Sequence, residues 1–148
     1  SKNPNRVNII LTADILNQTQ LFSAVTNISC RDCFALNGTL IFITRPGDTG
    51  KAIGQQGKNI KILRSRTNKN IKIIEHGEDC CALIKNYLFP TKPKACEVID
   101  KDSRQIAEIE FNSSRERRYL LDNQQKALKE LKQIVARYYP AIKDIRIL

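Results

Sequence analysis

The stretch Ala52-Ile53-Gly54-Gln55-Gln56-Gly57-Lys58-Asn59-Ile60 sets two glycines, with two glutamines between them, at the junction of two segments of helical pattern. On its left, Pro46-Gly47-Asp48-Thr49 breaks a strand and offers side-chain oxygens to cap a short helix over Gly50 to Ile53. On its right, Ile60, Leu63 and Thr67 fall on one side of a helix running from Lys58 to about Thr67. The first turn of that second helix has backbone N–H groups without internal partners, and the helix dipole adds partial positive charge there. Glycines without Cβ atoms let an anion approach those donors, and Lys58 and Lys61 supply full charge beside them. The corner therefore reads as a phosphate clamp. A Gly-x-x-Gly alone is weak, because its first glycine often just ends a helix in a left-handed conformation. The position between two helices, at the head of the more basic one, decides for the clamp.

The charge distribution points the same way. The 148 residues carry 25 Lys and Arg against 15 Asp and Glu, a net charge of +10. Residues 1–76 hold 11 basic and 4 acidic residues (+7), and residues 77–148 hold 14 and 11 (+3). From Lys51 to Lys72 the seven cations Lys51, Lys58, Lys61, Arg64, Arg66, Lys69 and Lys72 occur without one acid. Charges of one sign so close together repel, and a polyanionic partner relieves that repulsion. Nucleic acid is the class of partner implied. No apolar run approaches the roughly 20 residues of a membrane span, and no apolar signal segment follows Ser1 to Arg6. With an odd number of cysteines, five, a disulfide framework is not expected, so a reducing, cytoplasmic setting is.

Outward from the glycine loop, the chain reads as one unit used twice. Ile15, Leu16, Phe22 and Val25 recur near helical spacing between Thr12 and Ile28, with Thr12 or Asp14 as a cap. Cys33 to Leu36 and Leu40 to Thr44 flank Asn37-Gly38, the dipeptide best suited to a two-residue hairpin turn. Ile71 to Ile74 closes the first copy as a strand. In the second copy, Glu78 to Leu88 is a helix stopped by Pro90, and Ala95 to Asp100 and Arg104 to Phe111 are strands joined by Lys101-Asp102-Ser103. Ala107, Ile109 and Phe111 alternate with Glu108 and Glu110, one face inward and one in water. Ser113-Ser114-Arg115-Glu116 has capping-box spacing and starts a helix to about Leu121. Ala127, Leu131, Ile134 and Tyr138 mark another helix, Pro140 stops it, and Ile142 to Leu148 is a last strand. Each copy runs helix, strand, strand, helix, helix, strand, which makes an α+β fold of two domains, 1–76 and 77–148, each a three-stranded sheet packed on helices.

That element order, with Ile53-Gly54-Gln55-Gln56-Gly57-Lys58-Asn59-Ile60 at the helix corner, resembles the type II KH domain, whose GXXG loop holds the backbone of about four nucleotides of single-stranded nucleic acid. Two such domains in tandem, with Cys30-Arg31-Asp32-Cys33 and then Arg45-Pro46-Gly47-Asp48-Thr49-Gly50-Lys51-Ala52-Ile53-Gly54, are similar to the short archaeal NusA-like transcription proteins. The resemblance implies binding of single-stranded RNA, the nascent transcript, in transcription elongation or termination, with RNA polymerase as a further partner. It implies a monomer that touches RNA through Lys51, Ile53, Gly54, Gln55, Gln56, Gly57, Lys58, Lys61, Arg64 and Lys72. Type II KH domains also occur in ribosome-associated and ribosome-assembly proteins, which stands as the alternative, as does an adaptor whose second copy docks protein.

The second copy departs from the pattern, because Leu121-Asp122-Asn123-Gln124 stands where the glycine loop belongs. Asp122 or Asn123 is expected to cap the following helix and occupy the donors a phosphate would use, and Asp122 would also repel that phosphate. Arg117 and Arg118 remain near enough to attract a backbone. Among the thiols, Cys30-x-x-Cys33 has a zinc spacing, but the adjacent pair Cys80-Cys81 points two ways and does not complete a site. These four are read as ordinary buried or half-buried thiols, no role is assigned to Cys96, and no metal or cofactor is expected. His76 is the only histidine, no nucleophile and base gather around it, and the clustered carboxylates of a metal-dependent nuclease are missing. The chain is not expected to be an enzyme.

Overall fold

The computed structural model describes residues 13–148, and the proposed Thr12 cap lies outside them. The chain divides into two compact units, the division falling between His76 and Gly77. Each is an α+β unit with a three-stranded sheet packed on helices. Among the described residues no helix is long and apolar enough to cross a membrane.

In the first unit, α1(Ala13–Thr26) leads into β1(Asp32–Leu36) and β2(Thr39–Thr44), followed by α2(Thr49–Ile53), α3(Lys58–Thr67) and β3(Asn70–Glu75). Strands β1 and β2 pair antiparallel around Asn37 and Gly38, whose φ angles of 48° and 82° are those of the expected two-residue turn. Strand β3 lies parallel to β2, and a parallel pair needs a crossover, which α2 and α3 supply. Phe22, Cys33, Leu40, Phe42, Ala52, Leu63 and Ile71 form one core cluster, with the Phe22 and Phe42 rings stacked 4.5 Å apart. One element of the α1 stripe differs from the expectation: Leu16 is 51% exposed, and Leu21 packs on the core. Consecutive helical positions lie about 100° apart, so the face set by Ile15 and Phe22 turns Leu16 outward.

The turn into α2 is also held differently from the capped helix that the sequence suggests. Asp48 sits at the N-cap without a side-chain cap bond. Instead, Thr49 Oγ1 lies 2.7 Å from Thr44 Oγ1 and donates to Glu75 Oε1 at 3.3 Å, and the Gly47 N–H donates to the same carboxylate oxygen at 3.2 Å. Glu75 thus ties the end of β3 to the start of the helix pair, a partner too distant in sequence for local propensity to reveal.

The second unit runs α4(Cys80–Leu88), β4(Ala95–Lys101), β5(Arg104–Glu110), α5(Ser114–Tyr138) and β6(Ile142–Ile147). Asp79 caps α4 by accepting from the Ala82 N–H at 2.8 Å. Asp102 and Ser103, with φ of 52° and 65°, form the β4–β5 turn. Strand order is β4-β5-β6, antiparallel then parallel, as in the first unit. Ala107, Ile109 and Phe111 are buried as the alternation requires, while Glu108 and Glu110 are half-buried and paired with Arg146 and Lys94 at 3.6 Å. Ser113 accepts from the Glu116 N–H at 3.3 Å, but the Glu116 carboxylate reaches back to the N–H of Asn112, one residue earlier than in a standard capping box. Helix α5 is broken by a corner at Asp122 to Gln125, so the unit keeps the helix-helix order of the first. Beyond the corner, Leu128 and Val135 join Leu131 and Ile134 in the core. Tyr87 on α4 donates to Glu130 Oε1 at 2.8 Å. Burial, then the neighbouring Glu130 charge, raises the phenol pKa, so the phenol stays a donor.

Candidate nucleic-acid interface

Gly54 follows α2 with φ 80° and ψ 164°, a region open essentially to glycine alone. A Cβ placed there would lie 2.9 Å from Asn59 Cγ and 3.1 Å from the Asn59 backbone nitrogen. Asn59 occupies that space because its Nδ2 donates to the Lys51 carbonyl at 3.2 Å, joining α3 to α2. Sequence reasoning passed over Asn59, since its partner lies eight residues back and no motif spacing marks it. Gly57 does something else. It heads α3 in the left-handed region at φ 72°, bonds back to the Gly54 carbonyl at 3.0 Å, and gives α3 no side-chain cap. A Cβ there would meet nothing within 4 Å. One glycine closes the corner by tight packing, and the other leaves open space over uncapped helix N–H groups.

Around that space lies a depression of about 580 Å³ lined by Gln55, Gln56, Lys58, Lys61 and Ile62. Gln55, Gln56, Lys58, Lys61 and Arg64 are exposed, Lys51 is exposed on α2, and Ile53 is half-buried behind the loop. The fold thus brings nine of the expected contact residues to one helix corner. Lys72 is not among them. It alternates with Ile71 and Ile73, which face the core that holds Ala52 and Leu63, so its side chain leaves β3 on the other side of the sheet.

Arg117 and Arg118 belong to the first arm of α5, in the second unit. Arg118 is exposed, whereas Arg117 is half-buried and directs Nη1 toward the Leu148 carbonyl at 3.5 Å. The corner beyond them does not carry the cap expected of Asp122 or Asn123. Both side chains are exposed, and neither makes a hydrogen bond among the described residues. The corner is instead formed by the backbone, with Asp122 extended at ψ 169° and then Asn123, Gln124 and Gln125 left-handed at φ 55°, 58° and 61°. No glycine stands in this corner, and the acid of Asp122 is exposed on it.

No two cysteines are joined in a disulfide among the described residues. Cys33 and Cys80 are buried, and Cys30, Cys81 and Cys96 are half-buried. Among the described residues, no three His, Cys, Asp or Glu side chains gather into a metal site.

The loop geometry gives a first test. Gly54→Ala combines a glycine-only conformation with a collision against Asn59, and is expected to cost about 2–3 kcal/mol of stability. Gly57→Ala meets no atoms and is expected to cost about 1 kcal/mol, for the left-handed backbone alone. Denaturant unfolding of the two variants measures both, and equal losses would contradict the division of labour between the glycines.

The chain is similar to known proteins in sequence and in fold. No protein-family model matches the chain. Over 80 residues, 54% of this chain, it is 31% identical to the probable transcription termination protein NusA of Methanocaldococcus jannaschii. Over 79 residues it is 34% identical to the protein of the same name from Methanococcus vannielii, and over 82 residues 26% identical to that of Halococcus morrhuae. In sequence, the chain is similar to archaeal NusA. The matched stretch is 44%, 45% and 59% of those NusA proteins, so this chain spans about half the length of the relatives it matches. The crystal structure of APE1850 superposes with a TM-score of 0.78 at 24% identity, covering 93% of this chain and 100% of that one, which shows a shared fold.

Proposed function

We propose that the chain is a tandem of two type II KH domains that binds single-stranded RNA in the control of transcription elongation and termination, as its similarity to NusA suggests. Residues 1–76 carry the working clamp and residues 77–148 the degenerate copy. The observation that carries this reading is Gly57, left-handed, open on its outer side and heading an uncapped helix whose exposed side includes Lys58, Lys61 and Arg64. Backbone phosphates sit over the N–H groups of α3, Lys58, Lys61 and Lys51 neutralise them, and Ile53 supports the loop from behind. The second domain attracts the strand through Arg118 more than through its corner. The chain performs no catalysis; it acts in the cytoplasm as a monomer, and RNA polymerase is the protein partner.

Crosslinking of the protein to RNA in cells, with both RNA and peptides identified, tests this. Crosslinks from the peptide containing Gln55 to Arg64 onto nascent transcripts are expected. Crosslinks from the same peptide onto ribosomal RNA would move the protein to the ribosome-associated KH class. Crosslinks confined to residues 77–148 would remove the glycine loop from the site.

A further inference from the structure

Away from the loop, the second unit brings two thiols together across elements that no nucleic-acid reading uses. Cys81 lies in the first turn of α4 and Cys96 near the start of β4. The Cys96 thiol donates to Cys81 Sγ, with the sulfurs 2.9 Å apart. An open depression of about 460 Å³ is lined by both, together with Asp79, Cys80, Glu97 and Val98. Their neighbour Cys80 is only 5% exposed, and burial pushes its thiol up to about 12.

We propose that Cys81 and Cys96 form a dithiol–disulfide pair, oxidised by exchange with a small-molecule disulfide entering this depression. Cys81 is the entry sulfur. Burial and its hydrogen bond to Cys81 keep the proton on Cys96, raising its pKa, so Cys96 acts second. The Cys81 thiolate attacks one sulfur of R–S–S–R, an S–S bond to Cys81 forms, and RS⁻ departs with the proton that Cys81 lost. Cys96 then gives up its proton and attacks Cys81 Sγ, expelling the second RS⁻, which takes that proton. Two protein thiols are oxidised and one disulfide is reduced to two thiols. The sulfurs need to close by only about 0.9 Å to reach bonding distance. The bridge ties α4 to β4 and restricts the unfolded loop between them, so it stabilises the unit.

The test uses the reduced whole chain and oxidised glutathione, followed by acid quench, alkylation and peptide mapping. The expected product has lost the mass of two hydrogens, with Cys81 bridged to Cys96 and with Cys30, Cys33 and Cys80 alkylated. Its thermal midpoint is higher than that of the reduced chain and falls back on adding a thiol reductant. Cys96→Ser is expected to stop at a glutathione mixed disulfide on Cys81, and Cys81→Ser to form no bridge. Five alkylated thiols after oxidation, a bridge through Cys80, or a mixed disulfide placed elsewhere than on Cys81 in Cys96→Ser would each overturn the proposal. Mapping of the unsubstituted chain is decisive even where a variant folds poorly.

Discussion

Replacing Gln55 and Gln56 together with aspartate is expected to weaken binding of a short single-stranded RNA by at least about 30-fold. Two unit charges about 4 Å apart interact by about 1 kcal/mol even at the dielectric of water, so two new acids facing a bound phosphate cost about 2 kcal/mol at the least. The figure rises where the RNA displaces water from the depression lined by both glutamines. Stability should hardly change, because both side chains are exposed and aspartate tolerates the left-handed backbone found at Gln56, φ 54°. Anisotropy titration and a thermal melt on the same preparation measure the two effects. Unchanged affinity in a folded variant would take the loop out of the binding site.

The largest expected effect on folding comes from Gly77→Ala. A Cβ on Gly77 would lie 2.3 Å from the Leu83 nitrogen, 2.6 Å from its Cα and 2.8 Å from the Ala82 carbonyl carbon. All three atoms are backbone of α4, whose Leu83 and Ile84 are fixed in the core and whose start is fixed by the Asp79 cap. The helix cannot step back without giving up that packing, and the Gly77 carbonyl is itself held by the Tyr139 hydroxyl at 2.7 Å. A loss of about 3 kcal/mol or more is expected, read as a lower denaturant midpoint. A loss under about 1 kcal/mol would mean that α4 moves freely against this residue.

In the sequence Gly77 only opens the second copy, and the helix backbone that forbids a side chain there is contributed by folding. What was legible was local or periodic: the Asn37-Gly38 hairpin, the alternation of Ala107, Ile109 and Phe111, and the two glycines at the head of a basic helix. What was not legible depends on partners far along the chain. Glu75 takes the place of a local cap for α2, and Tyr87 meets Glu130 43 residues away. Lys72 was drawn into the site by its place in a charge run, but strand alternation carries it to the other side of the sheet. At the second corner, which lacks glycine, a left-handed backbone run stands in place of the expected side-chain cap.

The salt dependence of RNA binding tests the central claim most directly. A KH loop engages about four backbone nucleotides, and single strands lose affinity with a log–log slope of about −0.7 per neutralised phosphate, so one working clamp gives a slope near about −3. The account predicts that value for the whole chain, slightly steepened by Arg118, and a clearly flatter slope for the Gln55→Asp, Gln56→Asp variant. A slope near about −6, as two clamps require, or a slope that the two aspartates leave unchanged, would contradict it.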